Sequence, residues 1–171
     1  MQSAKIDRFL RIGMCLLAAA LVYTIYAGIH ERVIAAGDSA PDFSVTADSG
    51  QAVTVPNFRG KLLVLNFWAS WCPPCVEETP SLSQFAAEYA KKGVVVLALS
   101  VDRDEKAYQG FLQRFRPAFL TARESKLHEE FGTYMYPETY IIDAGGRVVK
   151  KIPEAADWND PNLRRYIDSL L

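Results

Sequence analysis

The run Leu62-Leu63-Val64-Leu65-Asn66-Phe67-Trp68 leads, by way of Ala69-Ser70, into Trp71-Cys72-Pro73-Pro74-Cys75. A continuous apolar stretch of this length fits a strand buried on both faces. Two prolines at the head of the next segment suit the first turn of a helix, where a missing N–H is harmless. A strand that feeds a helix at this point puts Cys72 at the helix N-terminus. Free backbone N–H groups and the macrodipole favour a thiolate there. Two residues separate Cys72 from Cys75, so the pair can close a disulfide within one turn. The segment points to redox chemistry.

Two other uses of such a pair are weaker. A zinc clip needs a second pair or a Cys/His set, and the only histidines are His30 and His128. A purely structural disulfide over so small a loop removes little chain entropy. The third cysteine, Cys15, lies alone in the N-terminal apolar stretch, so the chain lacks the dispersed, even cysteine pattern of a disulfide-stapled domain. There is no basic block and the net charge is −1, which argues against a nucleic-acid partner.

Residues 1–11 are polar and carry Lys5, Arg8 and Arg11 against Asp7; residues 12–29 carry no charge. As a helix the second stretch rises ~27 Å, close to a bilayer core. Tyr23 and Tyr26 lie toward its far end, as interface aromatics often do. We read residues 1–11 as a cytoplasmic N-terminus and 12–29 as a single-span anchor. The positive-inside rule then puts everything after Ile29 outside the cytoplasm, in the periplasm or its equivalent. Two readings rival the anchor: a cleaved signal peptide, with Val33-Ile34-Ala35 as a passable cleavage site, and a buried core helix, disfavoured because no polar face breaks the run. Met14 is too large for the residue before a lipidated cysteine, which leaves Cys15 as apolar filler.

Residues 30–40 read as a linker and 41–171 as one domain. Phe43–Val45 and Ala52–Val55 suggest a hairpin across Asp48-Ser49-Gly50, followed by a turn at 57–61. Strands are expected at 62–68 and 94–101, with a helix over 73–92 ended by Gly93. A helix at 104–114, a short strand at 119–121 and a short helix at 125–131 follow. A hairpin of 140–142 and 147–152 across Asp143-Ala144-Gly145-Gly146, and a helix at 161–171, complete the chain. A βαβ unit followed by a ββα unit makes a three-layer α/β sandwich.

Val64 to Cys75 resembles the active-site strand and turn of the thioredoxin superfamily. Tyr136-Pro137-Glu138-Thr139-Tyr140-Ile141-Ile142-Asp143 resembles its second signature, a cis-proline ahead of a strand. The likeness runs from about Pro41 to the C-terminus. Within the superfamily the chain looks most like the membrane-anchored TlpA/ResA/DsbE (CcmG) group. The anchor, Ala40-Pro41-Asp42-Phe43, Cys75-Val76-Glu77-Glu78-Thr79-Pro80 and the extra segment 104–121 carry that closer resemblance. It implies a thioredoxin-like sandwich, with a central mixed sheet, helices on both faces and an N-terminal β-hairpin, behind one transmembrane helix.

The resemblance also implies roles. Cys72 is the exposed nucleophile and Cys75 the buried resolving thiol. A cis Pro137, which the residues alone leave open between cis and trans, exposes the backbone of Tyr136 to a substrate segment. Trp71, Pro73 and Pro74 belong to the docking surface, while Trp68 is core. Thioredoxin has a buried Asp where this chain has Asn66, which cannot move a proton. In the ResA-like group a helix Glu takes that part, so Glu78 is expected to be partly buried, with a raised pKa, and to exchange the proton of Cys75. Glu138 either contacts substrate or is an exposed strand-end carboxylate. Arg123, Lys126 and Lys150-Lys151 read as solvated charges.

The implied activity is a membrane-tethered protein-disulfide reductase with no cofactor beyond its redox disulfide. Its electrons would come from a membrane thiol-disulfide carrier, and its substrate would be a protein disulfide such as that of apocytochrome c. Two alternatives stand beside it. A peroxiredoxin shares the fold and the Pro-Asp-Phe hairpin, but Ala69 holds the place of the Thr that normally precedes its cysteine by three residues. A copper-site assembly chaperone needs a histidine near the cysteines, and within the domain only His128 is available.

Overall fold

The computed structural model describes residues 2–29, 33–54, 61–124 and 126–171. The chain divides into two compact units, Met1–Arg32 and Val33–Leu171. The first is one helix, α1 (Gln2–Ile29), which begins well before the uncharged stretch. Its segment Ile6–Tyr26 is long and apolar enough to cross a membrane, and none of it is buried, unlike the core helix of a soluble protein.

The second unit is built on a five-stranded sheet of β3 (Leu62–Trp68), β4 (Val94–Ser100), β5 (Leu120–Arg123), β6 (Glu138–Ile142) and β7 (Val148–Ile152), in the order β5-β4-β3-β6-β7. β3 pairs parallel with β4, from Leu62 opposite Val94 to Trp68 opposite Ser100, and antiparallel with β6. β4 and β5 are parallel, β6 and β7 antiparallel, so the sheet is mixed as expected. All seven residues of β3 are buried, which explains why its sequence reads as a run rather than an alternation. A separate hairpin pairs β1 (Ser44–Thr46) with β2 (Ala52–Thr54). Val55 and residues 57–60 of the expected turn, like Ser125 and His30–Arg32, lie outside the described residues.

Successive side chains of β3 point to opposite faces. Leu62, Val64 and Trp68 join a core with α2 (Pro73–Tyr89), α3 (Glu105–Phe115) and α5 (Pro161–Asp168), through Leu82, Phe85, Tyr89, Tyr108, Phe111 and Ile167. Leu63, Leu65 and Phe67 join a second core with the hairpin and α4 (Leu127–Glu130). α2 ends one turn earlier than 73–92 suggests. A 3-10 turn, Ala90–Lys92, finishes it, and Gly93 closes that turn at φ 88°, a left-handed conformation suited to glycine.

The boundary at residue 41 needs correction. Ile34 is buried in the second core and its N–H donates to the Phe131 carbonyl at 3.1 Å. Gly37 N–H donates to Val148 O at 2.8 Å, and Ser39 bridges Arg147. Residues 33–40 therefore form a strap along β7 and the loop after α4. Their backbone bonds go to distant chain, which local composition does not reveal.

Candidate active site

Cys72 is the N-cap of α2, its backbone extended and its sulfur accepting the Cys75 N–H at 3.3 Å. Pro73 and Pro74 fill the first two helical positions. The two cysteines form a disulfide with Cα atoms 5.3 Å apart. Cys75 is 3 % exposed, as its expected role requires, but Cys72 is only 4 % exposed. The expectation of an exposed Cys72 thus fails for the disulfide form. Its sulfur lies 3.4 Å from the carbonyl oxygen of Tyr136, so the loop before β6 comes down onto it.

The Tyr136–Pro137 peptide is cis. Tyr136 is half-buried, and burial, aided by Glu129 and Glu138, holds its phenol above the ordinary tyrosine pKa. Trp71 stands beside it, 64 % exposed, the rings meeting edge-on at 6.1 Å. A cleft of ≈ 600 Å³ opens next to this pair, lined by Ser70, Asp102, Arg103, His128 and Glu129 among others. Exposed Tyr134 and Met135 extend the apolar surface. Trp68, by contrast, is buried against Phe111 at 4.3 Å between ring centroids.

Glu78 sits one turn along α2 from Cys75 and is 4 % exposed. Burial pushes its carboxyl up to about 7, against the opposing pull of hydrogen bonds from Trp158, Ala156 and Asn66. Trp158 Nε1–H donates to Glu78 Oε1 at 2.6 Å and the Ala156 N–H at 3.3 Å. A second cleft, of ≈ 430 Å³, runs along Glu78, Ser81 and the loop Ala155–Asn159. Asn66 is buried and donates to Thr139 Oγ1 at 2.9 Å. Glu77, its neighbour, is exposed. The sequence reading had no role for Trp158, whose partner is 80 positions away.

Glu138 is neither exposed nor aimed at the docking surface. Its carboxylate is buried, accepting hydrogen bonds from the hydroxyls of Thr133 and Tyr140. Lys151 Nζ, read from sequence as solvated, pairs with Glu138 Oε1 at 3.0 Å. Arg123 stays exposed, as expected, in a surface pair 2.8 Å from Glu105. The Lys151–Glu138 pair ties β7 to β6 just after Pro137. Breaking a buried pair strands one charge. Lys151→Met should therefore lower the unfolding free energy by about 2 kcal/mol, discounted because the lysine is one-fifth exposed. Urea denaturation checks this, and adding Glu138→Gln should restore most of the loss.

His128 Nδ1 lies 3.0 Å from the Thr133 carbonyl and 3.3 Å from the Tyr136 hydroxyl. Among the described residues no three or more His, Cys, Asp or Glu side chains are grouped to hold a metal ion. The arrangement instead suits thiol-disulfide exchange: a cysteine at a helix N-terminus, a second one turn in, and a titratable carboxyl one turn further.

The comparisons agree with that chemistry. Residues 35–167 match the Redoxin family. The thiol-disulfide oxidoreductase ResA of Geobacillus thermodenitrificans is 33 % identical over 161 residues, 92 % of this chain and 91 % of that protein. The Bacillus cereus ResA is 31 % identical over 163 residues, 93 % of each. The crystal structure of a Chlorobium tepidum protein, assigned as thiol:disulfide interchange protein DsbE, superposes with a TM-score of 0.73 at 28 % identity. It covers 81 % of this chain and 99 % of its own. This chain belongs to the Redoxin family, as a thioredoxin-fold thiol-disulfide oxidoreductase of the ResA/DsbE type.

Proposed function

We propose that the chain is a membrane-anchored reductase of protein disulfides outside the cytoplasm, serving c-type cytochrome maturation. The observation that carries the reading is the meeting of Cys72 Sγ with the Tyr136 carbonyl, 3.4 Å apart, beside the exposed Trp71. An extended substrate segment can lay its backbone along that edge and bring its disulfide to Cys72. The thiolate of Cys72 attacks one substrate sulfur, forming a mixed disulfide and releasing the other as a thiolate. The thiolate of Cys75 then attacks Cys72, closing the Cys72–Cys75 bond and releasing the second. Two electrons pass to the substrate, and Glu78 takes up the proton of Cys75. The chain uses no other cofactor, and a membrane thiol-disulfide carrier restores its dithiol.

The apolar helix Ile6–Tyr26 supports an anchor, and the basic residues Arg8 and Arg11 support a cytoplasmic N-terminus. An apocytochrome c offers a suitable substrate, because its Cys-x-x-Cys-His segment must be a dithiol before haem attachment. The reduction potential of the full-length chain tests the direction. A value below about −200 mV is expected, with reduction of an oxidised Cys-Ala-Ala-Cys-His peptide. A potential near that of a strong oxidase, about −120 mV, overturns the reading.

A further inference from the structure

Asp102 lies two residues past the end of β4 and is 1 % exposed, yet the exchange chemistry gives it no part. Its carboxylate takes three hydrogen bonds. The Ser70 N–H donates to Oδ2 at 2.8 Å, the Ser70 hydroxyl to Oδ1 at 2.7 Å and the Ser100 hydroxyl to Oδ2 at 2.6 Å. One carboxylate thus holds both donors of a single residue, and that residue lies two positions before Cys72. Desolvating a carboxylate is costly unless its oxygens are bonded, so this grip fixes Asp102 and Ser70 together.

The gripped residue is in the turn between β3 and α2. Cys72 N–H donates to Ala69 O at 3.2 Å, which makes Ser70 and Trp71 the central residues of that turn. Around them, Val101 N–H donates to Trp68 O at 2.9 Å and Asp102 N–H to Ser100 Oγ at 3.1 Å. The ends of β3 and β4 are laced together where the chain leaves the sheet for the reactive helix. Trp71, on the same turn, shares the ≈ 600 Å³ cleft with Asp102 and Tyr136.

We propose that Asp102 is a positioning residue for the exchange reaction: acting through Ser70, it locks the Ala69–Cys72 turn and so sets the placement of Cys72 and Trp71. It exchanges no proton and touches no reacting sulfur. A misplacement of 1 Å at a reacting centre costs on the order of a hundredfold in rate, so a rigid turn has a large effect to protect. The inference rests on thiol-disulfide exchange itself and not on which protein disulfide is the substrate.

The test uses the reduced full-length chain in detergent micelles, mixed with an oxidised Cys-Ala-Ala-Cys peptide. A 5-fluorotryptophan label, assigned through Trp71→Phe, reports the turn by fluorine NMR. Asp102→Ala should slow the second-order rate about tenfold and broaden or split the Trp71 resonance. Asp102→Asn should bring the rate back to within about threefold of native. Its amide oxygen can accept from Ser70 N–H and Ser100 while its NH₂ donates to a rotated Ser70 hydroxyl. A native rate in Asp102→Ala overturns the proposal. So does an Asn variant as slow as the Ala variant, which would make charge rather than placement the cause. Should Asp102→Ala fail to fold, Ser70→Ala decides: a loss of about threefold at an unchanged melting temperature supports the proposal, and a native rate sinks it. If the native chain is inert toward the peptide, the reductase reading has failed separately, and the Trp71 resonance alone judges Asp102.

Discussion

Between pH 5 and pH 8 the native chain should lose about 2.5 kcal/mol of stability, and Glu78→Gln should abolish most of that loss. Glu78 titrates near 7 in the fold, raised from 4.5 chiefly by burial. Between those values the folded chain holds a proton that the unfolded chain has released, so the unfolded state binds fewer protons and stability falls as pH rises. The contribution is complete below about 4.5 and gone above about 7; a gap of about 2.5 units corresponds to about 3 kcal/mol. A glutamine keeps the shape and still accepts the Trp158 N–H, but it does not titrate. The two chains should match within about 1 kcal/mol at pH 5, and the variant should be the more stable at pH 8. Urea unfolding of the disulfide form at pH 5, 6.5 and 8 measures this. Parallel curves for the two chains would show that Glu78 is not the group that titrates. The same substitution should remove an ionisation near pH 7 from the rate profile of disulfide exchange, because a carboxyl poised there serves equally as acid and base.

What made Glu78 legible was local: its spacing from Cys75 along one helix, read with a family likeness. The rest of its environment was not local. Trp158 and Ala156, which hold its carboxylate, come from the loop before α5. No periodicity links positions so far apart in the chain. Asp102 went unread for the same reason, since its partner Ser70 is 32 positions away. The apolar run of β3 was clear because a central strand buries every residue, and a run needs no partner to be seen. Glu138 shows the opposite case. A charged residue at a strand start reads as exposed, and only the fold brings Thr133, Tyr140 and Lys151 around it. Residues 33–40 look like linker because most are small and they show no strand or helix periodicity, while their ordering comes from backbone bonds to the loops at Phe131 and Gly146 and to β7.

Cys75→Ala should convert the oxidoreductase into a trap. The first attack needs only the Cys72 thiolate, which α2 stabilises through its N-terminal N–H groups. Release needs a second thiol held one turn away, and the Cα separation of 5.3 Å in the native pair shows that the helix already supplies it. Without that thiol the mixed disulfide with an oxidised Cys-Ala-Ala-Cys-His peptide has no internal route to resolve. Turnover should fall by at least about a thousandfold, while a one-to-one adduct accumulates that dithiothreitol removes. Cys72→Ala should lose turnover to the same degree and form no adduct. The comparison is sharp because both sulfurs are nearly equally hidden in the disulfide form, so exposure does not decide which attacks. Placement does: Cys72 adjoins the Tyr136 carbonyl, the edge along which a substrate is proposed to lie, and Cys75 lies behind it in the core with Glu78 further along the helix. Mass spectrometry of the two adduct mixtures reads the assignment directly. An adduct on Cys75 in the Cys72→Ala chain, with none in Cys75→Ala, would exchange the two roles and move the docking edge to the other side of the helix start.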